Sequence, residues 1–320
     1  MRPWNIAHRG GALLRAENTL SAFADAVRRG CDGAELDVQL TQDGEVVVFH
    51  DTRLTPYLCR DAAGRWLSPP GPYLKELSFE QLRSLDVGRA DPAGAYAARH
   101  SEVHWQDGEC IPLLAEAIAV AKTAREPFRL FVELKTAQLN PREGAAPEEL
   151  AERALAVLEE HEYLERTVFV GFDWRALVHV KRLAPAAQCW FTAMPRSWFA
   201  EGNPPPEHDP PPAPVLDLLR QWARDGTSPW AAGHDAVRHG GSLIAAAKAA
   251  GADGWFPMWV DIDEDSLAEA RALGLQVGAW TVNDPAEMKW LATLGIDAIC
   301  TDRPDVLMAV YSPSNSAVER

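Results

Sequence analysis

The chain has 320 residues, 47% hydrophobic and 24% charged, the balance of an ordinary globular protein with one large domain or two modest ones. A formal net charge of -15 argues against binding nucleic acid or an anionic membrane through a basic surface. Five cysteines without CxxC spacing (Cys31, Cys59, Cys110, Cys189, Cys300) read as reduced thiols rather than a disulfide framework or zinc site, and no stretch has signal-peptide or membrane-span character, so a cytoplasmic protein is expected.

A short strand at 4–8 runs into Arg9-Gly10-Gly11. Asn18 is expected to cap a helix whose Leu20, Phe23, Ala24 and Val27 share one face and which Gly30 ends. In the next strand Glu35 and Asp37 stand two positions apart, which puts both carboxylates on one face. Asp43-Gly44 reads as the centre of a two-residue hairpin turn. That turn pairs Gln42 with Glu45 and sets His50 across from Asp37. Two acids and an imidazole on one face suit a metal-assisted reaction, and the same pattern also fits a polar face exposed to water. Residues 52–110, with Pro69-Pro70-Gly71-Pro72 and one helical piece near 78–85, read as an insertion before the next helix.

Leu114, Ala117, Ile118 and Ala121 mark that helix, entered through Pro112. A strand at 130–134 leads into Lys135, then come a helix at 148–161, a strand at 168–172, a helix at 174–184 and a strand near 188–192. The run 203–214, with Pro-Pro-Pro twice, breaks regular structure and reads as the base of an excursion over about 195–242. Val215, Leu218, Leu219 and Trp222 resume helical spacing, and the polar tail 312–320 is expected to be disordered. One recurrence bears on architecture: Gly30-Cys31-Asp32-Gly33, Gly251-Ala252-Asp253-Gly254 and Gly295-Ile296-Asp297-Ala298 each join a helical pattern to an apolar strand. Repeated short helix-to-strand loops belong to parallel βα units. With eight strand candidates outside the hairpin arm, a (β/α)8 TIM barrel over 1–311 is favoured over a doubly wound sheet.

In such a barrel the chemistry gathers at the carboxyl ends of the strands. Those ends carry His8-Arg9, Glu35 and Asp37, Glu133 and Lys135, Phe172-Asp173, Trp280 to Asn283, and Thr301-Asp302-Arg303. Glu35, Asp37 and Glu133 make an all-oxygen set suited to Mg²⁺ or Ca²⁺, or else a group of surface salt bridges. Lys135 could simply pair with Glu133, and Trp280 could be ordinary core. Glu17 is expected to support the loop before the first helix. Thr301-Asp302-Arg303 is expected to pair charges beneath the first strand. His234-Asp235 and His239 suggest a second metal set, but flexible loops commonly carry solvated histidines and that reading is preferred.

The motifs Ala7-His8-Arg9-Gly10, Glu17-Asn18-Thr19, Glu35-Leu36-Asp37-Val38 and Val48-Phe49-His50-Asp51 carry a resemblance. It continues through residues 111–116, Val132-Glu133-Leu134-Lys135, Ala279-Trp280-Thr281-Val282-Asn283 and Thr301-Asp302-Arg303-Pro304. From about 5 to 307 the chain resembles the glycerophosphodiester phosphodiesterase family. The resemblance implies a (β/α)8 barrel with an insertion after the hairpin. It also implies hydrolysis of glycerophosphodiesters to glycerol 3-phosphate and an alcohol with a divalent metal, Mg²⁺ or Ca²⁺. By position, Glu35, Asp37 and Glu133 would bind the metal, and His8 and His50 would be the acid–base pair. Arg9 and Lys135 would hold the phosphate, and Trp280 and Phe172 would wall the glycerol side. Three departures stand out: Ala16 where the family has Pro, Gly171-Phe172 where it often has Ser-Phe, and a poor match over 195–242. Two rival readings use the same site. One is a lysophospholipase D-type activity with a channel lined by Trp198, Phe199, Trp222 and Trp230. The other is a phosphate-binding barrel without catalysis.

Overall fold

The computed structural model describes residues 2–312, so the expected tail, Ser312 apart, lies outside the described residues. Its strands are β1 (Trp4–Ala7), β2 (Gly33–Leu40), β3 (Val46–Val48), β4 (Arg129–Leu134), β5 (Thr167–Gly171), β6 (Gln188–Ala193), β7 (Gly254–Pro257), β8 (Gln276–Ala279) and β9 (Ala298–Thr301). All but β3 run parallel, and β1 pairs with both β2 and β9, which closes the ring. The fold is the eight-stranded barrel, not the open sheet.

Around it lie α1 (Leu20–Arg29), α2 (Phe79–Arg83), α3 (Ala95–Arg99), α4 (Leu114–Ala121), α5 (Pro147–Glu160) and α6 (Trp174–Leu183). The second half adds α7 (Arg196–Phe199), α8 (Ala213–Asp225), α9 (Leu243–Ala249), α10 (Glu264–Ala272), α11 (Pro285–Leu294) and α12 (Pro304–Tyr311). Among the described residues no helix is long and apolar enough to cross a membrane.

Strand alternation divides the core into two layers. Ala34, Leu36, Val38 and Leu40 of β2 join Leu130, Val132 and Leu134 of β4 in the cluster between strands and helices. The alternate residues turn to the barrel axis, where Ile6, Phe131, Trp190 and Phe256 pack together. Trp190 fills the centre, fully buried, stacked on Trp4 at 5.9 Å and edge-on to Phe131 at 5.2 Å. Burying an aromatic of ~150–250 Å² at ~25 cal/mol/Å² contributes roughly 4–6 kcal/mol. Gly254 and Gly278 leave the room it needs, since a Cβ at either would lie 2.5 or 2.8 Å from its ring.

The recurrent Gly-x-Asp loops have a second role beyond ending helices. Asp32, Asp253 and Asp297 each accept the backbone N–H of a neighbouring strand residue (Asn5, Cys189 and Val277) at 2.7, 2.9 and 2.7 Å. Each Asp also returns its own N–H to that residue's carbonyl. The carboxylate thus satisfies a donor at the start of the adjacent strand and fixes the strand register.

Four local expectations are corrected. The hairpin ladder is one residue off: Val38 pairs with Val48 and Leu40 with Val46. Thr41, not Gln42, closes the loop, because its hydroxyl accepts from Glu45 N (2.9 Å) and donates to Asp43 (2.6 Å). Phe49 therefore stands opposite Asp37, donating to its carbonyl at 2.9 Å. Thr19 rather than Asn18 caps α1, its side chain accepting from Ala22 N. Residues 52–110 hold more than one helix: α3 adds to α2, and Leu54, Leu74, Leu82 and Ile111 form a core of their own. Helix α3 is too short to show an apolar period. Finally, α8 begins inside the expected breaker, with Pro214 in its first turn, where a missing N–H costs nothing.

Candidate active site

Pairing in the parallel ladder sets Asp37 of β2 beside Glu133 of β4, and Glu35 beside Phe131 one step below. Paired residues share a face, so the three acids converge at the carboxyl ends of two adjacent strands. Each offers an oxygen within 4.8 Å of the others, the single such set of metal-ligating side chains among the described residues. Glu35 and Asp37 are buried, and Oε1 of Glu35 has no hydrogen-bond partner among the described residues. Burial, then the charge of Asp37, pushes the Glu35 carboxyl well above the usual range. Burial would raise Asp37 too, but His50, Arg9 and Lys135 more than offset it and hold Asp37 low. An unpartnered buried carboxylate oxygen within an all-oxygen set fits a hard divalent cation.

The cations around this set are themselves held. Arg9 takes a left-handed backbone (φ 50), from which its N–H donates to Glu35 Oε2 at 3.0 Å. Its guanidinium donates to Glu17 at 2.8 Å and lies 3.4 Å from Asp37. Glu17 therefore supports Arg9 rather than merely a loop, and Tyr96 of α3 donates to its other oxygen. Lys135 lies 3.0 Å from Glu133, 3.7 Å from Asp37 and 3.0 Å from Nε2 of His50. Burial works against its charge, and Glu133 with Asp37 more than restores it, so the ammonium donates to that imidazole nitrogen.

Both imidazoles are oriented by a carboxylate at Nδ1. His8 meets Asp302 at 2.7 Å, and His50 meets Asp51 at 2.7 Å. Burial disfavours the His8 imidazolium, but Asp302 more than offsets this and raises its pKa. Asp302 is thus at the working end of the barrel, held by the Asn283 amide at 2.7 Å, and does not close charges beneath β1. Arg303 pairs instead with Asp305 and Glu102. His50 reaches the site despite the shifted register because β3 ends at Val48 and the chain turns. The buried amide of Gln39 fastens that turn, donating to the carbonyls of Phe49 (2.8 Å), His50 (3.3 Å) and Asp51 (2.8 Å).

Eight of the nine expected site residues line one pocket of about 370 Å³, namely His8, Arg9, Glu35, His50, Glu133, Lys135, Phe172 and Trp280. Asp37 lies just behind them. Phe172 and Trp280 pack edge to face at 5.3 Å, and Trp280 spends its N–H on the Phe256 carbonyl at 3.1 Å. Sequence reasoning missed Asp302, Asn18, Gln39 and Tyr96 as supports, together with His208 and Asp209, which line the pocket beside Trp198. Asn18, at φ 57, turns its amide to Asp37 at 2.8 Å. Only Asp51, next to His50 in the chain, had a local signal. His234 and His239 stack on each other while Asp235 accepts from Ser228 N, so they gather no metal set.

The model of the glycerophosphoryl diester phosphodiesterase family matches residues 8–306. The chain belongs to this family. It is accordingly an enzyme of the phosphodiesterase class. Among curated relatives, the glycerophosphodiester phosphodiesterase of Caldanaerobacter subterraneus subsp. tengcongensis is 26% identical, covering 96% of this chain and 97% of that one. The Bacillus altitudinis glycerophosphodiester phosphodiesterase is also 26% identical, over 94% of each chain. A solved structure from Silicibacter pomeroyi, described as a candidate glycerophosphoryl diester phosphodiesterase, superimposes with TM-score 0.79 at 29% identity over 95% and 91% of the two chains. A phosphodiesterase from Oleispira antarctica, solved with the product sn-glycerol-3-phosphate, shares the fold at TM-score 0.65 and 23% identity over 97% and 96% of the chains. The family match spans the hairpin acids, both histidines and the β9 end.

Proposed function

We propose that the chain hydrolyses glycerophosphodiesters to glycerol 3-phosphate and an alcohol, with Mg²⁺ or Ca²⁺ held by Glu35, Asp37 and Glu133. The observation that carries this reading is the meeting of those three acids with two carboxylate-oriented imidazoles at one end of a family barrel. When bound, the cation neutralises charge on the non-bridging phosphate oxygens. Arg9 and Lys135 add fixed positive charge beside that position, each held by an acid that does not leave it free to swing. His8 and His50 have Nδ1 committed to carboxylates. Nε2 of His8 is left for the substrate, while Nε2 of His50 accepts from Lys135 at 3.0 Å, a contact that substrate would have to displace. One takes a proton from the attacking oxygen and the other gives one to the departing alkoxide. Phe172 and Trp280 offer the glycerol an apolar wall. A barrel that only bound phosphate would have no use for paired imidazoles so anchored.

A second reading, hydrolysis of lysolipids, has one observation in its favour. Phe172 and Thr192 also wall a narrow gap of about 40 Å³, otherwise lined by apolar residues such as Met194, Phe199 and Trp230. That gap borders a cavity of about 610 Å³ that Phe199 and Trp230 share. Trp198 instead faces the catalytic pocket, and Trp222 packs behind Trp230 at 6.0 Å. Turnover of glycerophosphocholine against lysophosphatidylcholine separates the two readings. For the leading one, His8→Ala and His50→Ala are each expected to lose about 10²–10⁴-fold in kcat. Unchanged turnover in either variant would sink the acid–base assignment.

A further inference from the structure

The stretch after α7 supplies part of the pocket wall. Pro204-Pro205-Pro206 and Pro210-Pro211-Pro212 bracket Glu207-His208-Asp209. Proline fixes φ, so both arms are stiff, and Pro206–His208 makes a single tight turn between them. Two hydrogen bonds fasten that turn to α7: Ser197 Oγ lies 2.7 Å from His208 Nδ1, and the Trp198 indole N–H donates to the His208 carbonyl at 2.9 Å. From α8, Arg220 donates to the Trp198 carbonyl at 2.6 Å. Asp209 closes the turn in the left-handed region (φ 46, ψ 53), which Asp adopts more readily than most residues.

Trp198, His208 and Asp209 therefore form one braced unit that faces the catalytic pocket from outside the barrel. The metal set, the phosphate contacts and the proton transfers use none of them. Asp209 is exposed at the rim of this pocket. Trp198 has spent its only donor on backbone, so toward a ligand it offers a π face. A carboxylate beside an indole attracts cations and repels anions.

We propose that Asp209 and Trp198 select diesters whose departing alcohol carries an ammonium group, primary or quaternary, over diesters of neutral polyols. The proposal rests on the diester hydrolysis proposed above. A polyol would call for several convergent donors and acceptors, whereas this wall provides one carboxylate, one indole and an imidazole whose Nδ1 is already held by Ser197. The protein's net charge of -15 favours the same choice.

The test compares kcat/KM for glycerophosphocholine and glycerophosphoglycerol in the full chain supplied with Mg²⁺. The ratio is expected to favour the choline diester, and Asp209→Asn is expected to cut it about tenfold, chiefly through KM. Asp209→Glu, which restores the charge, should recover much of the preference, and added salt should weaken it. Hydrolysis of both diesters at a ratio that Asp209→Asn leaves unmoved would overturn this selectivity alone. Hydrolysis of neither would overturn the activity and the selectivity together.

Discussion

Asp302 Oδ1 lies 2.7 Å from His8 Nδ1, across the seam where β9 meets β1 and the barrel closes. One end of the chain thus orients an imidazole carried by the other. Asp302→Asn keeps the shape and removes the charge that raises the His8 pKa. Its expected effects are a kcat about 10- to 100-fold lower and a downward shift of the His8 titration. NMR of the chelated protein reads the second effect directly. A His8 midpoint equal to the parent's would contradict the role given to Asp302.

Gln39 is expected to matter for rate out of proportion to its position. Its amide donates to three successive carbonyls and holds the turn that presents His50. Gln39→Leu should lower kcat about tenfold or more with little change in KM, since the lost bonds position a proton-transfer group and bind no substrate. Thermal melting would separate this from unfolding: the buried carbonyls left unpaired should also lower stability by about 1–3 kcal/mol. Full kcat with a lowered Tm would reduce Gln39 to a structural residue.

The crowded acids predict how stability depends on pH. Without metal, burial and Asp37 raise the Glu35 carboxyl from 4.5 to about 8. Across that window the folded protein holds a proton that the unfolded chain has released, so stability falls as pH rises through it. Bound Mg²⁺ or Ca²⁺ favours the ionised acid and should remove the slope, adding about 2.7 kcal/mol at a hundred times Kd. Melting curves from pH 5 to 8 (~), with chelator and with metal, check the sign. Glu35→Gln should flatten the chelated curve.

The barrel interior gives a prediction about the fold alone. A Cβ at Gly254 would lie 2.5 Å from Cγ of Trp190, which is fully buried and has no room to retreat. Gly254→Ala is expected to cost about 1–3 kcal/mol through overpacking. A calorimetric Tm equal to the parent's would show that the centre of the barrel is looser than described.

Much of this was legible because it is local and periodic. Glu35 and Asp37 share a face by the two-residue period of a strand, and the strand positions followed from apolar runs between glycine-ended helices. The residues that support the site were hidden for the opposite reason. Asp302 and His8 lie 294 positions apart, and no periodicity links them. The hairpin register failed on one hydroxyl: Thr41 captured the turn and displaced the ladder by a residue. His50 still arrived, because Gln39 fixes the chain after the ladder ends. Tyr96 was invisible because α3 is one short turn, and its tyrosine reaches Glu17 from the insertion.

The central claim is a three-carboxylate metal site that serves phosphodiester hydrolysis. Release of glycerol 3-phosphate from glycerophosphocholine, measured after chelation and again after Mg²⁺ or Ca²⁺ is restored, tests it most directly. The expected result is loss of release on chelation and recovery with metal in the parent chain, with no recovery in Glu133→Gln. Full release in the presence of chelator would contradict the metal site, and no release under any condition would contradict the activity itself.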